Sequence, residues 1–412
     1  MKSVLYIALF AVLCCTATVL NAAKYHFTPA GSGDGSGSGF ENALSQKDIQ
    51  GKLNAAQPGD IFLLGSGTYH PPYDNNRLLV LKLGGTAELP IEFRGVDTGE
   101  GLPLIEGRWK ETNVRYHAHS STAIAISAGV GHMKFSDLKI TGCMHGITTS
   151  GGSVGLHFSS IAIDRCREGF RLNGISDSTF TDCSVIRYTK LGMRLEADCN
   201  GLQLDKVSVD ATGGDADWPT EAFPFGFHIE QHKGNFNIVY RHCTARNNLF
   251  KSESDKYWNG DGFVAENASC GIVYEDCASL NNTDGGWDDK SHAARIVRCK
   301  ADGNKRGFRI WNTAGTSDEP TVLENCVASG NASRGGIGSS AGLWSCGYVE
   351  AVDCTFSDNA TFAVALENNN SGGHAVLKRC LLQIKAGTKQ QFLQTESGTT
   401  CEEIDVVRET IE

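Results

Sequence analysis

A short pattern, a glycine followed by a large apolar residue and two strand-forming positions, recurs through the middle of the chain. Its copies begin at Gly169, Gly192, Gly226, Gly262, Gly286 and Gly307. Successive copies are 23, 34, 36, 24 and 21 residues apart. A repeat of about 20–50 residues built from strands and turns is typical of a solenoid, in which each unit buries its apolar side chains against the next. This repeat constrains the fold more strongly than any other feature of the chain.

A second pattern ends in cysteine and lies between the copies of the first. Its cysteines are Cys166, Cys183, Cys243, Cys277, Cys299, Cys326, Cys354 and Cys380. Short apolar runs bounded by Gly, Pro, Asn or Asp indicate strands separated by turns. Leucine-rich repeats share this period, but their Leu/Asn pattern is absent from the sequence. We therefore predict an all-β chain folded as a right-handed parallel β-helix, with equivalent residues of successive coils stacked in columns.

Two of these columns are predicted to point into the solenoid. One consists of the Phe, Met or Trp that follows each glycine, and the other consists of the recurrent cysteines. No Cys-x-x-Cys spacing indicates zinc, so we interpret the cysteines as small buried apolar residues rather than as metal ligands or disulfides. The glycines are expected to permit turns that a Cβ atom would obstruct.

The composition is that of a folded protein and excludes several functional classes. Glycine supplies 48 of the 412 residues, and the charged and hydrophobic fractions are 20% and 40%, which excludes a disordered chain and a coiled coil. The formal net charge of −10 argues against binding to nucleic acid or to an anionic membrane. Local cations could still hold an acidic polymer. We expect a monomer.

Residues 1–23 resemble a secretory signal peptide. Lys2 precedes an apolar run from Val4 to about Leu20, and the small residues 21–23 follow it. The run is short for a membrane span and no stop-transfer cluster follows, although an uncleaved anchor is the alternative. We therefore expect a secreted, extracellular protein. Removal of the signal would leave 13 of the 15 cysteines and a net charge of −11.

We expect three segments in the chain. Residues 1–23 form the signal peptide, 24–385 form the β-helix with an N-terminal cap, and 386–412 form a C-terminal extension. Asn-x-Ser/Thr sequons would make the chain a glycoprotein in a host that glycosylates them. They lie at Asn267, Asn281, Asn331, Asn359 and Asn369.

Two further columns are predicted to point outward. If the residue after each glycine points inward, then the second and fourth residues after it point outward, because side chains alternate along a strand. The second-position column consists of Arg171, Arg194, His228, Val264, Asp288 and Arg309. The fourth-position column consists of Asn173, Glu196, Glu230, Glu266, Lys290 and Trp311. A face of stacked acidic, basic and aromatic groups, about 5 Å apart, suits an extended polymer.

Three consecutive coils carry a cluster of carboxylates on this face. The coils contain 259–263, 282–288 and 306–311. We expect Asp261, Asp284 and Asp288 to converge there. Clustered like charges are costly unless a cation neutralises them, and Ca²⁺ takes 6–8 hard oxygen ligands of this kind. The alternative is an ordinary set of solvated Asp/Gly turns.

The same coils resemble a known family. The Asn-Gly-Asp-Gly-Phe run at 259–263, the Asp-x-Gly-Trp-Asp element at 284–288 and the Gly-Phe-basic strand that follows are similar to those of polysaccharide lyase family 9. The resemblance covers about residues 240–315 and is diffuse over the rest of the solenoid. The family consists of right-handed parallel β-helices typified by calcium-dependent pectate lyases, so a Ca²⁺ cofactor is implied.

The resemblance assigns roles to individual residues. It implies that Asp261, Asp284 and Asp288 are calcium ligands. Gly285 stands where the family has one more aspartate, which removes a carboxylate from the expected metal site. The family's catalytic lysine falls on Arg309.

The reaction that the resemblance implies is β-elimination from a uronate. Ca²⁺ would bind the sugar carboxylate and stabilise the charge that develops when the neighbouring ring proton is removed. A lysine base would need its pKa lowered by nearby cations. Arginine is a poor base because its pKa lies above about 12, although arginine is the base ascribed to other pectate lyase families. The expected catalytic residues are Arg309 and Lys305.

The resemblance also implies an acidic polysaccharide as the partner, and other side chains near these coils are expected to bind it. Arg306 could hold a substrate carboxylate, and Lys290 is a further cation that could bind it or act as the base. Trp258 and Trp311 flank the predicted groove and could stack on sugar rings, or could equally cover the solenoid.

Two other functions remain compatible with the sequence. A non-catalytic carbohydrate-binding or surface solenoid would keep the scaffold without the family's extra aspartate and lysine. A glycoside hydrolase would need paired carboxyl groups. Residues 282–285 resemble polygalacturonase hydrolases, but the Gly-His-Gly and Arg-Ile-Lys motifs of that family are absent. Asp288 and Asp289 are adjacent on one strand and should face opposite ways, so the hydrolase ranks last.

Overall fold

The computed structural model describes most of the chain after the predicted signal peptide. The described residues are 22–70, 76–107, 121–211, 221–231, 234–252, 256–369 and 372–412. The predicted signal at 1–23 therefore lies almost wholly outside them. Nowhere in these ranges is a helix long and apolar enough to cross a membrane.

The described chain winds into a parallel β-helix, as the repeat predicts. Each full coil contributes a short strand to each of three parallel sheets, which we call sheets A, B and C. Two long strands, Met133–Thr149 and Leu156–Leu172, each run through all three sheets. Near the N-terminus two 3₁₀ turns, Phe40–Asn42 and Gln46–Asp48, lead into one α-helix, Ile49–Leu53.

The short strands divide among the sheets as follows. Sheet A contains Lys24–Thr28, Ile61–Leu64, Ile91–Gly95, Thr179–Thr181, Asn200–Asp205, Phe236–Arg241, Cys270–Glu275, Arg295–Val297, Thr321–Glu324, Tyr348–Val352, His374–Lys378 and Thr400–Ile404, with Leu44–Ser45, Ser153–Val154 and Ile175–Ser176 beside it. Sheet B contains Thr68–Tyr69, Leu104–Glu106, Ser184–Ile186, Ser208–Asp210, Thr244–Arg246, Ala278–Leu280, Lys300–Asp302, Val327–Ser329, Thr355–Ser357, Leu381–Lys385 and Val407–Ile411. Sheet C contains Arg77–Leu81, Thr122–Ile126, Leu191–Leu195, Phe225–Ile229, Asp261–Ala265, Gly285–Asp289, Arg306–Ile310, Ala341–Ser345, Phe362–Leu366 and Gln391–Thr395.

The core includes a stack of aromatic rings from sheet C. The centroids of Phe227 and Phe263, of Phe263 and Trp287, and of Trp287 and Phe308 are each 4.9 Å apart. These side chains are 0–1% exposed. The prediction that the residue after each glycine points inward is confirmed.

The glycines before these aromatic residues lie within strands, which corrects the expectation that they serve turns. A Cβ atom on Gly262 would lie 2.7 Å from the carbonyl oxygen of Gly286 and 1.9 Å from Ser279 Oγ. The same approach to the next coil occurs at Gly226 and at Gly286, where the distance to the next glycine carbonyl is 2.5 Å. Real Cβ atoms essentially never come this close, so close backbone approach excludes other residues here.

The cysteine column is buried where the chain passes from sheet A to sheet B, as predicted. Cys277 and Cys299 are at most 2% exposed, and the residue before each of them, Asp276 or Arg298, has a φ near +50°. The thiol of Cys277 donates to the carbonyl oxygen of Glu275, 3.3 Å away. The column contains no disulfide within the described part of the chain. These cysteines act as small core residues.

An asparagine ladder lies between sheets B and C. Its members are Asn248, Asn282, Asn304, Asn331 and Asn359, each at most 1% exposed. The Oδ1 atom of Asn282 accepts from the backbone N–H of Asn248 at 3.1 Å and from its Nδ2 at 2.8 Å. The same pair of bonds repeats down the column. Two of the predicted sequons, at Asn331 and Asn359, are therefore structural, and a glycan has no room on either side chain.

The solenoid also continues past the expected boundary at residue 385. Strands Gln391–Thr395, Thr400–Ile404 and Val407–Ile411 pair in register with the preceding coil. Residues 386–412 therefore form a further coil, which corrects the prediction of a C-terminal extension.

The ladder predicts a large difference between two asparagine variants. Asn304→Ala removes the acceptor of two N–H groups of Asn282 and the donor to Asn331. Each buried unsatisfied group costs about 1–3 kcal/mol, so we expect a loss of about 3 kcal/mol in the free energy of unfolding, measured by urea denaturation with an unchanged m-value. Asn267→Ala, at an exposed position, should change it by less than about 0.5 kcal/mol. Equal losses in the two variants would contradict a role for the ladder.

Candidate functional site on sheet C

The predicted site lies on three neighbouring strands of sheet C, Asp261–Ala265, Gly285–Asp289 and Arg306–Ile310. Asp288 is directly opposite Arg309 in the register. Because the aromatic side chain of each strand fills the interior, these two residues point to the outer face. Every residue of the three strands is buried, so loops cover the outer face at this level.

Asp284 is neutralised by two arginines. Its Oδ1 atom accepts from Nη1 of Arg306 at 2.9 Å, and its Oδ2 accepts from Nη1 of Arg309 at 3.3 Å. Asp284 is fully buried, and the two arginines are 7% and 8% exposed. The predicted substrate-binding Arg306 is therefore held by the protein's own carboxylate.

Asp288 is also fully paired. Its Oδ1 accepts from the indole nitrogen of Trp311 at 2.7 Å and lies 3.4 Å from Arg309, while its Oδ2 accepts from Lys290 at 2.8 Å. Nζ of Lys290 also donates to Oε1 of Glu266, 2.9 Å away. Burial alone would raise the pKa of Asp288, but Arg309 and Lys290 lower it to about 2. In return Asp288 and Asp284 hold the pKa of Arg309 above its usual value despite burial.

Asp261 behaves differently from the other two carboxylates. It is fully buried, and its Oδ1 accepts from the backbone N–H of Gly285. Its Oδ2 has no hydrogen-bond partner among the described residues. Burial raises the pKa of Asp261 well above its usual value, and the negative charges of Asp288 and Asp284 raise it further. The three carboxylates come close enough in the structure for their charges to act on one another, as expected, and Asp261 is the member whose pKa is raised.

The donor set does not fit the calcium ion that the resemblance implies. Ca²⁺ takes 6–8 oxygen ligands, whereas all four oxygens of Asp284 and Asp288 are already paired with arginine, lysine or indole groups. The described residues contain no group of three or more His, Cys, Asp or Glu side chains arranged to hold a metal ion. Guanidinium groups supply the positive charge that calcium was expected to supply, and calcium binding stays a prediction of the resemblance.

Lys305 lies at the edge of this cluster and is 1% exposed. Its Nζ donates to the carbonyl oxygen of Ile337, in the loop that precedes strand Ala341–Ser345. Burial lowers the pKa of Lys305; Asp284 opposes the shift, and Arg306 and Arg309 add to it. The lysine is therefore a buried amine with a lowered pKa beside two permanent cations.

A glycine-rich loop at 333–340 covers Lys305. Its backbone N–H at Ile337 donates to the carbonyl oxygen of Lys256, 2.9 Å away. A Cβ atom on Gly335 would lie 2.2 Å from the ring of Trp258, so this glycine packs directly on the indole. The predicted sugar-stacking Trp258 thus supports the loop.

Trp311 is partly exposed, and its ring also contacts charged groups of the protein. The guanidinium carbon of Arg309 lies 4.6 Å from the Trp311 ring centroid and 5.4 Å from that of Trp344. Arg306 lies 5.4 Å from the Trp344 ring. Sequence reasoning missed Trp344, although it occupies the outward column directly after Arg309 in the register. The two indoles hold the guanidinium groups from the side of sheet C that faces outward.

Tyr257 was also missed, because it lies in a loop outside the repeat. Burial raises the pKa of its phenol, and Arg309 opposes that rise. A protonated phenol therefore lies beside the guanidinium group of Arg309.

The structure does not place Asp288 and Asp289 as the paired carboxyl groups that a glycoside hydrolase needs. Asp289 is fully buried inside the solenoid, where its Oδ2 accepts from the hydroxyl of Tyr274 at 3.2 Å and its Oδ1 from Ser291. Burial raises the pKa of Asp289 to about 6. Asp288 faces the other way, as expected for adjacent strand positions, so the pair cannot act on one glycosidic bond.

Comparison with known proteins supports the fold and leaves the family open. No protein-family model matches the chain, and no curated protein matches its sequence. The resemblance to polysaccharide lyase family 9 is therefore not confirmed and stays a prediction.

Several solved structures share the architecture. The A-module of the mannuronan C-5 epimerase AlgE6 of Azotobacter vinelandii superposes with a TM-score of 0.63 at 14% identity, covering 88% of this chain and 95% of that one. The periplasmic alginate epimerase AlgG superposes with a TM-score of 0.54 at 11% identity, covering 86% and 76%. Pectate lyase Pel9A matches at 14% identity over 94% and 77%, but its TM-score of 0.37 supports no argument about the site. At these identities the matches show the fold alone, and the chain is a parallel β-helix.

Proposed function

We propose that this chain is a secreted polysaccharide lyase that cleaves a uronate polymer by β-elimination on the outer face of sheet C. The position of Lys305 carries the proposal, because burial and two neighbouring arginines lower the pKa of its amine. β-Elimination needs a base that can be neutral near physiological pH and cations that stabilise negative charge on the sugar carboxylate. In this proposal Lys305, whose pKa is lowered, is the base, and Arg306 and Arg309 are the cations.

The proposed step begins with removal of a carbon-bound proton. Neutral Lys305 takes the proton from the ring carbon next to the sugar carboxylate. The electron pair of that C–H bond forms a new C=C bond, and the C–O bond to the next sugar breaks with its electron pair on oxygen. That oxygen takes a proton from Tyr257, whose raised pKa keeps the phenol protonated. The products are an unsaturated uronate and a chain with a new hydroxyl group, and Lys305 returns its proton to Tyr257 through solvent.

Arg309 has a different role in this proposal from the base that the sequence predicts. Its pKa is raised by Asp288 and Asp284, so it does not accept a proton. A guanidinium group instead offers two parallel N–H donors to a carboxylate. Asp284 orients Arg306 and Arg309 together, which places their charge next to the lysine that removes the proton.

The substrate class rests on the charge of the site and on the structural neighbours. Two neighbours are epimerases of mannuronan and of alginate, which supports an acidic polysaccharide. A C-5 epimerase also begins by removing a carbon-bound proton but returns one to the same carbon instead of breaking the glycosidic bond. The products therefore distinguish the two reactions.

A non-catalytic carbohydrate-binding solenoid is the second candidate. The observation that favours it is the closure of the cluster, since all oxygens of Asp284 and Asp288 are paired and Lys305, Arg306 and Arg309 are at most 8% exposed. Such a protein would bind the polymer at the surface and never admit it to Lys305.

The first prediction of the proposal concerns the product. Polygalacturonate or alginate incubated with the protein should give an ultraviolet-absorbing unsaturated product, with or without a calcium chelator. Lys305→Met should lower the rate at least about 100-fold, because it removes the general base. Lys300→Met, at an exposed position, should not change it. New reducing ends without unsaturation would show hydrolysis, and deuterium exchange into the polymer without cleavage would show epimerisation. Loss of activity with the chelator would show that a calcium ion is needed.

The second prediction concerns the pH dependence of kcat/KM. Only the neutral amine can accept a proton, so the rate should rise with pH up to the pKa of Lys305, which lies below the ordinary 10.5. Arg306→Gln removes a cation that lowers this pKa, so the rising limb should move to higher pH. Arg298→Gln, at an exposed turn, should leave the limb in place. A limb that does not move in Arg306→Gln would remove Lys305 from the role of base.

The third prediction concerns access to Lys305. Because the loop at 333–340 covers it, Lys305 should react with an acylating reagent far more slowly than the exposed Lys300, as measured by mass spectrometry of peptides. Trp258→Ala removes the ring that supports the loop and should speed the labelling of Lys305. Ile337→Ala changes a side chain that is 59% exposed and should not. Rapid labelling of Lys305 in the unmodified protein would show that the loop does not protect it.

A further inference from the structure

A second polar cluster lies on the outer face of sheet C, nearer the N-terminus of the solenoid. Its central residue is Glu168, which is 1% exposed. The Oε1 atom of Glu168 accepts from Nη1 of Arg167 at 2.5 Å and lies 3.6 Å from Nη1 of Arg194. Arg194 also pairs with Glu230 at 2.5 Å and with Glu196 at 3.4 Å. The proposed lyase chemistry uses none of these residues.

Three buried polar atoms of this cluster have no hydrogen-bond partner within the described residues. They are Oε2 of Glu168, Nε of Arg194 and Nδ1 of His228. Oε2 of Glu168 lies 3.8 Å from Nε2 of His145 and 4.0 Å from Nε of Arg171, and Nδ1 of His228 lies 3.8 Å from Oε1 of Glu230, all beyond hydrogen-bond distance. Native proteins leave few buried polar groups without hydrogen bonds, because each costs about 1–3 kcal/mol. The three residues come from consecutive strands, and Arg194 and His228 are directly opposite each other in the register. Three such atoms in one place indicate a group that the described residues do not supply.

The charges at this site favour a neutral ligand over an anion. Arg167, Arg171 and Arg194 are matched by carboxylates from Glu168, Glu196, Glu221 and Glu230. Burial, with Arg194 as the next cause, lowers the pKa of His228 to about 3, so the imidazole is neutral. The missing partners are an acceptor for the guanidinium N–H, a donor for the carboxylate oxygen, and a partner of either kind for the imidazole. Hydroxyl groups provide all three, because each can donate and accept.

We propose that Glu168, Arg194 and His228 form a second sugar subsite that binds hydroxyl groups of the polymer that Lys305 acts on. This inference rests on the proposed function for the identity of the polymer. Arg194 and Arg309 occupy one column, separated by the strands that carry His228, Val264 and Asp288. Four strand spacings of about 4.8 Å place the two subsites about 19 Å apart. A polymer laid along the sheet reaches both, whereas a disaccharide reaches one.

Binding measurements in a Lys305→Met background test the subsite without dependence on turnover. Isothermal titration should show that long polyuronate binds at least about tenfold more weakly to Arg194→Lys and to Glu168→Gln than to the parent, because each variant removes a hydrogen bond to a charged group. A disaccharide reaches only one subsite and gains nothing from a second one. Its affinity should therefore not show the same loss in Arg194→Lys and Glu168→Gln. Arg241→Lys changes a matched pair with Glu275, 2.7 Å apart on sheet A, and should bind like the parent.

A carboxyl-reduced polymer distinguishes hydroxyl binding from carboxylate binding. If the subsite binds hydroxyl groups, Arg194→Lys should lose the same fold in affinity for the reduced polymer as for the charged one. A loss confined to the charged polymer, or equal affinity of Arg194→Lys, Glu168→Gln and the parent for long polymer, would overturn the proposal. Melting temperatures of the variants check that they fold, and His228→Gln replaces either variant that does not. Absence of an unsaturated product would contradict the proposed lyase activity, whereas the binding measurements would still test the subsite.

Discussion

The close approach of each glycine to the backbone of the next coil is the constraint on which the sheet C site depends. At Gly226, Gly262 and Gly286 the space for a Cβ atom is taken by a carbonyl oxygen 2.5–2.7 Å away. The next residue of each coil can then place its aromatic ring directly over the preceding ring, at 4.9 Å. Side-chain packing and backbone register therefore reinforce each other from coil to coil. Any insertion within these strands would break both at once.

The same register decides where the polar chemistry lies. Because the coils stack without offset, residues at one position of the repeat form a straight column on the outer face of sheet C. The column from Arg194 through His228 to Asp288 and Arg309 joins two polar clusters that are remote in sequence. On the neighbouring corner the asparagine ladder satisfies backbone N–H groups that the turn between sheets B and C would otherwise leave buried and unpaired. The strands that carry the site are thus held in place by the hydrogen bonds of the asparagine ladder and by the stacked rings inside the solenoid.

The periodicity of the sequence made the fold and the position of the site predictable. It did not reveal which side chains of the site pair with one another. The repeat placed Asp261, Asp284 and Asp288 on adjacent coils, and the structure brings them together. The pairing of Asp284 with Arg306 and Arg309 depends on side-chain torsions and burial, which spacing does not encode. The loop that covers Lys305 lies outside the repeat, so no column argument could find it. The asparagine ladder, in contrast, is present in the sequence as an Asn at the same point of five coils, two of which, Asn331 and Asn359, also match the sequon pattern.

Gly285 and the arginines form one arrangement rather than two separate departures from the resembling family. A Cβ atom on Gly285 would lie 3.0 Å from Oδ1 of Asp261 and 2.8 Å from the carbonyl oxygen of Trp287. An aspartate there would have to displace the buried Asp261, whose Oδ1 is held by the Gly285 N–H. Burial raises the pKa of Asp261 well above its usual value, and the other two aspartates, Asp284 and Asp288, form the ion pairs of the site with Arg306, Arg309 and Lys290. The positive charge that the proposed elimination needs is then part of the chain itself, and its placement depends on Asp284.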